Sequence, residues 1–151
     1  MSGQEITEDQ ELPPDEVLWE GFVSCRLSPQ QWTHLAHVRI GFLHLRQDRF
    51  DIALEKIRSR IQQLNSAHGT PEAIDRGYHE TITRAFLQLI AGAMAEHAVG
   101  SSLDFCHSNP GLMTKTVLLD YYSRERIMSA EAKAGFVEPD LKPLPGLVDL
   151  E

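Results

Sequence analysis

The chain has 151 residues, 42% hydrophobic and 24% charged, a composition typical of one folded domain rather than of a disordered protein. Its formal net charge is -8 at pH 7, and its arginines are scattered among acidic residues. This balance argues against binding to a nucleic-acid backbone or to anionic membranes, since both require clustered Lys and Arg.

The sequence also predicts where the protein resides. The N-terminal residues are acidic and polar, so no secretory signal peptide is expected. The longest apolar stretch, 86–95, is too short to span a bilayer. Cys25 and Cys106 form neither a CxxC pair nor a disulfide framework. We therefore expect a soluble cytoplasmic protein with reduced thiols.

The N-terminal part is predicted to be a tail followed by two helices. Residues 1–13 read as a flexible acidic tail, and the helical domain occupies 14–151. Asp15 is expected to cap a short first helix. Ser28 followed by Pro29 is a strong helix-start signal, which predicts a second helix from Pro29 to about Gln47.

Two further helices are expected in the middle of the chain. A third begins at Asp48 or Asp51, carries a one-sided apolar stripe and closes within 65–69. Thr70 and Pro71 repeat the cap-and-proline signal, so a long fourth helix is predicted from there to about His97.

The C-terminal part is predicted to contain short helices and an extended segment. A turn of helix is expected at 102–106, a helix from Asn109-Pro110 through Tyr122, and a short helix at 130–136 capped by Ser129. Three prolines exclude regular helix in 137–151, whose apolar residues predict a strap that lies on the bundle. The expected fold is a single-domain all-α bundle of about five or six helices with this strap.

The second helix is unusual because apolar residues surround its axis, a pattern typical of a central, buried helix. His34, His37 and His44 form a polar stripe along it, and Gly41 lies in their midst. His34 and His37 are one turn apart and can converge on a single point. The missing side chain at Gly41 leaves space for a ligand, a water or another backbone.

His79 is predicted to project from the apolar face of the fourth helix. If the second and fourth helices are neighbours, His34, His37 and His79 meet in one cavity. Three imidazoles, with or without a carboxylate, suit Fe, Zn, Cu, Ni or Co. We therefore predict His34, His37 and His79 as metal ligands.

Four other residues are candidates for a role near these histidines. Glu80, or alternatively Asp75, is a candidate ligand or base, while Tyr78 and Arg39 are candidates to orient a substrate. Such a site could serve a metal-dependent oxidoreductase or hydrolase, and without metal the histidines could act as general acid and base. No nucleotide or flavin motif is present.

A non-enzymatic alternative stays open. Buried histidines are often hydrogen-bonded structural residues, and the His-x-x-His spacing is no HExxH zinc signature. The chain would then be a helical module that binds a small molecule or a protein partner, and a homodimer is compatible with either function. Arg39 and Arg46 could instead pair with acids of another helix, such as Glu16, Glu20 or Asp75. Structural roles are expected for His68, His97 and His107.

Three segments resemble a group of small bacterial proteins of unknown function. The shared pattern is Trp32-x-His34-x-x-His37-x-Arg39, then Gly77-Tyr78-His79-Glu80-Thr81, then Glu131-Ala132 with Phe136-Val137-Glu138-Pro139-Asp140-Leu141. The resemblance covers most of the chain from Trp32 to Pro145. It implies no substrate or cofactor, but it includes the same three histidines.

Overall fold

The structure, a computed structural model, describes residues 12–73, 76–96 and 99–146. Within these ranges the protein is all-helical, and its only β-type pairing is an isolated bridge between Ala73 and Arg76. No helix in the described part is long and apolar enough to cross a bilayer. Asp75, His97, most of the predicted tail and residues 147–151 of the predicted strap lie outside these ranges.

Five helices of two turns or more form the body of the domain. They are α1 (Asp15–Val23), α2 (His34–Gln47), α3 (Phe50–His68), α4 (Glu80–Glu96) and α5 (Ser102–Ser108). Two 3-10 helices follow at Pro110–Met113 and Lys115–Asp120, and then two short α-helices, α6 (Arg124–Ile127) and α7 (Ala130–Ala134).

Helix α2 lies at the centre of the bundle, as its all-round apolar pattern predicted. It packs against α1, α3, α4 and α5, and most of its residues are buried. Gly41 allows the close contact with α4, because a Cβ there would lie 2.8 Å from Cδ1 of Ile90. The space at Gly41 is thus occupied largely by a neighbouring side chain.

The predicted start of α2 at Pro29 is wrong. Ser28 forms a turn instead: its hydroxyl accepts a hydrogen bond from the backbone N–H of Gln31, and its carbonyl accepts one from Trp32. The helix begins after Thr33, whose side chain caps it by accepting from the N–H of Ala36. Two cap-type residues compete here, and the second one starts the helix.

The predicted start of α4 at Pro71 is also wrong, since this helix begins at Glu80. Gly77 has a φ of 86°, a left-handed conformation that interrupts any helix continuing from Pro71. The Glu72 carboxylate holds the turn by accepting from the N–H of Tyr78 and from Lys133. His79 therefore does not project from a helical face; it precedes the helix.

The segment predicted as one helix from Asn109 to Tyr122 is divided into the two 3-10 helices, and α6 follows. We call residues 110–128, which comprise these three short helices, the short-helix wall. The wall contributes to a second apolar cluster, in which its Leu118, Tyr122 and Ile127 pack with Phe86 and Leu89 of α4. Helix α4 thus has the main core on one side and this second cluster on the other.

Residues 136–146 have no regular secondary structure and lie against this second cluster. Val137 is buried in it and Leu144 packs at its edge. The phenol of Tyr122 donates a 2.6 Å hydrogen bond to the carbonyl of Val137, and both groups are buried. The Val137 N–H donates to the Thr81 hydroxyl, so this segment is hydrogen-bonded to α4 as well.

We predict that Tyr122→Phe destabilises the protein by about 1–2 kcal/mol, because the buried Val137 carbonyl loses its phenol donor. Urea unfolding followed by circular dichroism measures this difference. Tyr121→Phe is the matched control, since the Tyr121 phenol makes no hydrogen bond within the described residues while its ring contacts Lys142. Equal stability of the two variants would show that the Tyr122 hydrogen bond does not fasten the segment.

Candidate functional site

A cavity of about 570 Å³ lies between α2, α3, α4 and the short-helix wall. Its apolar surface comes mainly from branched side chains on the three helices, including Ile40, Ile57, Ile61, Ile82 and Ile90. Its polar lining includes His34, His37, Tyr78, His79, Asn65 and Thr83. All three predicted metal ligands therefore line the same cavity.

His34 joins α2 to the short-helix wall. Its Nε2 lies 2.9 Å from the backbone oxygen of Leu112, near the end of the first 3-10 helix. A carbonyl can only accept, so Nε2 carries the proton and Nδ1 carries a lone pair in the neutral ring. The ring also contacts Phe86 edge-on. One nitrogen of His34 is therefore committed to holding the wall.

His79 joins the start of α4 to the other end of the wall. Its Nε2 donates to the carbonyl of Ile127, the last residue of α6, at 2.9 Å. Its Nδ1 accepts from the backbone N–H of Ile82 at 3.1 Å, so the imidazole caps α4. Both ring nitrogens of His79 are thus used, and the neutral Nε2–H tautomer fits both bonds.

His37 keeps one ring nitrogen without a partner among the described residues. Its Nδ1 donates to the Thr33 carbonyl at 2.7 Å, which leaves a lone pair on Nε2. The ring stacks on Trp32 with the ring centroids 3.7 Å apart. His37 is exposed and is one of the residues that line the cavity.

The three histidines are neutral at pH 7. Burial lowers the pKa of His37 to about 4, and the nearby His34 and Lys115 lower it further. Burial likewise lowers the pKa of His34, with a contribution from the Lys115 charge, and lowers that of His79. The cavity thus presents neutral imidazoles, and a neutral imidazole can accept a hydrogen bond from a ligand.

Tyr78 lines the cavity, but Glu80 is not part of its lining. The Glu80 carboxylate is held by Arg58 through two hydrogen bonds of 2.9 and 2.7 Å, and it accepts a third from the Tyr78 phenol. These bonds, with that of Arg58 first, lower the pKa of Glu80. Burial and the bond to Glu80 raise the pKa of Tyr78. Both predicted catalytic residues are therefore already paired.

Arg39 lies away from the cavity. It is 1% exposed and donates to the Ser102 hydroxyl, the Pro13 carbonyl and the Asp15 carboxylate. Asp15 was expected to cap α1; instead it accepts from Arg39 and from both the N–H and the hydroxyl of Ser102. Arg39 does pair with an acid of another helix, namely Asp15 rather than Glu16 or Glu20. It joins α1, α2 and α5.

His44 and His68 also make internal hydrogen bonds outside the cavity lining. His44 is fully buried; its Nδ1 donates to the Ile40 carbonyl, and its Nε2 accepts from Arg60 at 2.9 Å. Its ring contacts those of Trp19 and Phe22. His68 donates to the Leu27 carbonyl at 2.7 Å, which is a structural role of the kind expected.

Sequence reasoning missed two cations that line the cavity, Lys115 and Arg124. Both are exposed, and neither has a salt-bridge partner in the described ranges. Both belong to short helical turns, where no apolar periodicity shows which way a side chain points. No sequence signal distinguishes them, since Glu125 directly follows Arg124 and Asp120 lies in the same 3-10 helix as Lys115.

The histidines do not form a metal-binding geometry in this structure. Among the described residues, no group of three or more His, Cys, Asp or Glu side chains is arranged to hold a metal ion. Asp75, the alternative carboxylate, lies outside those residues. A metal at His79 would compete with hydrogen bonds that both of its ring nitrogens already make, whereas His34 and His37 each use one ring nitrogen within the described residues.

No protein-family model matches this chain, and no curated protein or solved structure is significantly similar to it. The resemblance to small bacterial proteins therefore stays a prediction from the sequence pattern.

Proposed function

We propose that this chain is a cytoplasmic module that binds one small, largely apolar molecule in the cavity between α2, α3, α4 and the short-helix wall. The observation that carries the proposal is the cavity itself, about 570 Å³ in volume and lined by branched aliphatic side chains with a few polar groups. Ligand pockets in proteins typically measure roughly 300–1,000 Å³ and have this kind of lining.

A packing defect is a poor explanation for a space of this size. Protein interiors are close-packed, and voids larger than one water molecule are few. His37, Lys115 and Arg124 of its lining are exposed, so the cavity opens to solvent and its apolar side chains face water, at a cost of about 25 cal/mol per Å². A bound apolar molecule would offset that cost.

Binding accounts for the polar groups better than acid–base catalysis does. The carboxylate of Glu80 is neutralised by Arg58, and Arg39 lies elsewhere. Both nitrogens of His79 are in use. This leaves the Nε2 of His37 and the Nδ1 of His34 as open acceptors, which can orient a ligand by hydrogen bonding.

The proposal predicts that the neutral fluorescent probe N-phenyl-1-naphthylamine binds the wild-type protein in a 1:1 complex. Ile61→Trp should weaken this binding at least about tenfold, because the indole would occupy the cavity from α3. Fluorescence titration measures both affinities, and circular dichroism checks that the variant is folded.

Ser59→Trp is the matched control, since Ser59 is exposed on the outer face of the same helix. Thr83→Trp fills the cavity from α4 and serves as a second variant if Ile61→Trp does not fold. A wild-type protein that takes up no probe, or folded cavity variants that bind it as well as Ser59→Trp does, would refute the proposal.

A second candidate function is binding of a transition metal such as Fe, Zn, Cu, Ni or Co. One observation favours it: His34 and His37 line the same cavity, and each retains one ring nitrogen that makes no hydrogen bond within the described residues. His79 could join them only by releasing the N–H of Ile82 or the carbonyl of Ile127. An incoming metal would supply Lewis-acid or redox chemistry at this cavity.

If metal binding is the function, protein purified without an affinity tag or chelator should contain a transition metal in near-stoichiometric amount. Elemental mass spectrometry measures that content. The single variants His34→Ala and His37→Ala should each lose the metal. His68→Ala should keep it, because His68 donates to a carbonyl outside the cavity. Equal metal content in all three variants would exclude these ligands.

A further inference from the structure

The cations at the cavity indicate what kind of molecule would enter it. The chain carries 22 Asp and Glu against 14 Lys and Arg, yet no acidic side chain in the described ranges lines the cavity. Lys115 and Arg124 do line it, on neighbouring parts of the short-helix wall. Among the described residues, the charged side chains that line the cavity are therefore two cations, which would favour an anionic ligand over a cationic one.

Lys115 and Arg124 are not among the basic residues that form ion pairs within the described ranges. Several others do pair with acids, as Arg58 does with Glu80 and Lys133 with Glu72. Lys115 and Arg124 make no ion pair with any acid in the described residues, and both side chains are exposed. Their positive charges are therefore available to a ligand.

Lys115 acts on the polar end of the cavity. Its charge reaches both His34 and His37, whose pKa values it lowers. Lys115 also comes three residues after Leu112, the residue whose carbonyl accepts from His34, and it lines the same cavity as both imidazoles. The isoleucines of α2, α3 and α4 form the apolar remainder. The cavity therefore has a cationic end and an apolar interior.

We infer that the ligand is an amphipathic organic anion, with its anionic head group on the cationic side of the cavity formed by the short-helix wall and an apolar body among the isoleucines. This inference rests on the proposed function, because it assigns a ligand class to the same cavity. An anionic head group would gain charge-assisted interactions with the cations of that wall. Its hydrocarbon part would bury apolar surface inside the cavity.

The test compares decanoate with decanamide, which have the same chain and similar head-group shape but differ in charge. Each competes with N-phenyl-1-naphthylamine for the wild-type protein at pH 7.5, where the carboxylate is ionised. Decanoate is expected to bind at least about tenfold more tightly, since hydrogen bonds to a charged partner are stronger than neutral ones. Equal affinities would overturn the inference.

Lys115→Met and Arg124→Met should each reduce the affinity for decanoate several-fold while leaving that for decanamide unchanged. Lys142→Met is the matched control, because Lys142 is exposed, contacts Tyr121 and does not line the cavity. Loss of decanoate affinity in this control, or unchanged affinity in both cavity variants, would also overturn the inference.

The proposed binding of an apolar molecule and the assignment of an anionic ligand would be contradicted by different results. If the neutral probe binds and is displaced equally by decanoate and decanamide, the cavity binds apolar molecules but the anion assignment is wrong. If the neutral probe does not bind the wild-type protein, the proposed function itself is wrong.

Discussion

The short-helix wall depends on hydrogen-bond donors from other parts of the chain for some of its backbone carbonyl groups. A helix leaves its last carbonyl groups without internal partners, and in a helix of one turn these are most of its carbonyls. His34 and His79 meet this requirement for Leu112 and Ile127, each with an Nε2–H bond of 2.9 Å. Because His34 stands on α2 and His79 at the start of α4, the wall is fastened to both helices, and the cavity lies between α2, α3, α4 and the wall.

This arrangement joins the two alternatives that the sequence left open. His34, His37 and His79 hydrogen-bond backbone groups, and they also line the cavity proposed to bind a ligand. Within the described residues, His34 and His37 each retain an acceptor nitrogen without a partner there. Lys115 and Arg124 add positive charge to the same lining, so the proposed recognition of an amphipathic anion would use residues already present.

Much of the fold could be predicted because the spacing of apolar residues along the chain indicates which faces of a helix are buried. The all-round apolar pattern of α2 correctly indicated a central helix. The polar stripe that interrupts this pattern drew attention to His34 and His37, which both line the cavity. Helix starts were less predictable, because Ser28 and Thr33 compete as caps and because Gly77 adopts a left-handed conformation that local composition does not reveal. The partners of the histidines are backbone carbonyls, which carry no sequence signal. Lys115 and Arg124 lie in helices too short for apolar periodicity to show where their side chains point, so their position at the cavity could not be predicted.

The most direct test of this account is the tautomeric state of the imidazole rings, measured by long-range 15N–1H correlation NMR at pH 7 and assigned with His37→Gln and His79→Gln variants. We expect neutral Nε2–H rings for His34 and His79 and a neutral Nδ1–H ring for His37 that is protonated only near pH 4. An Nε2–H tautomer at His37, or titration of His37 near pH 6.5, would contradict the account. Rapid tautomer averaging at His34 and His79 would show that these histidines do not hold the wall.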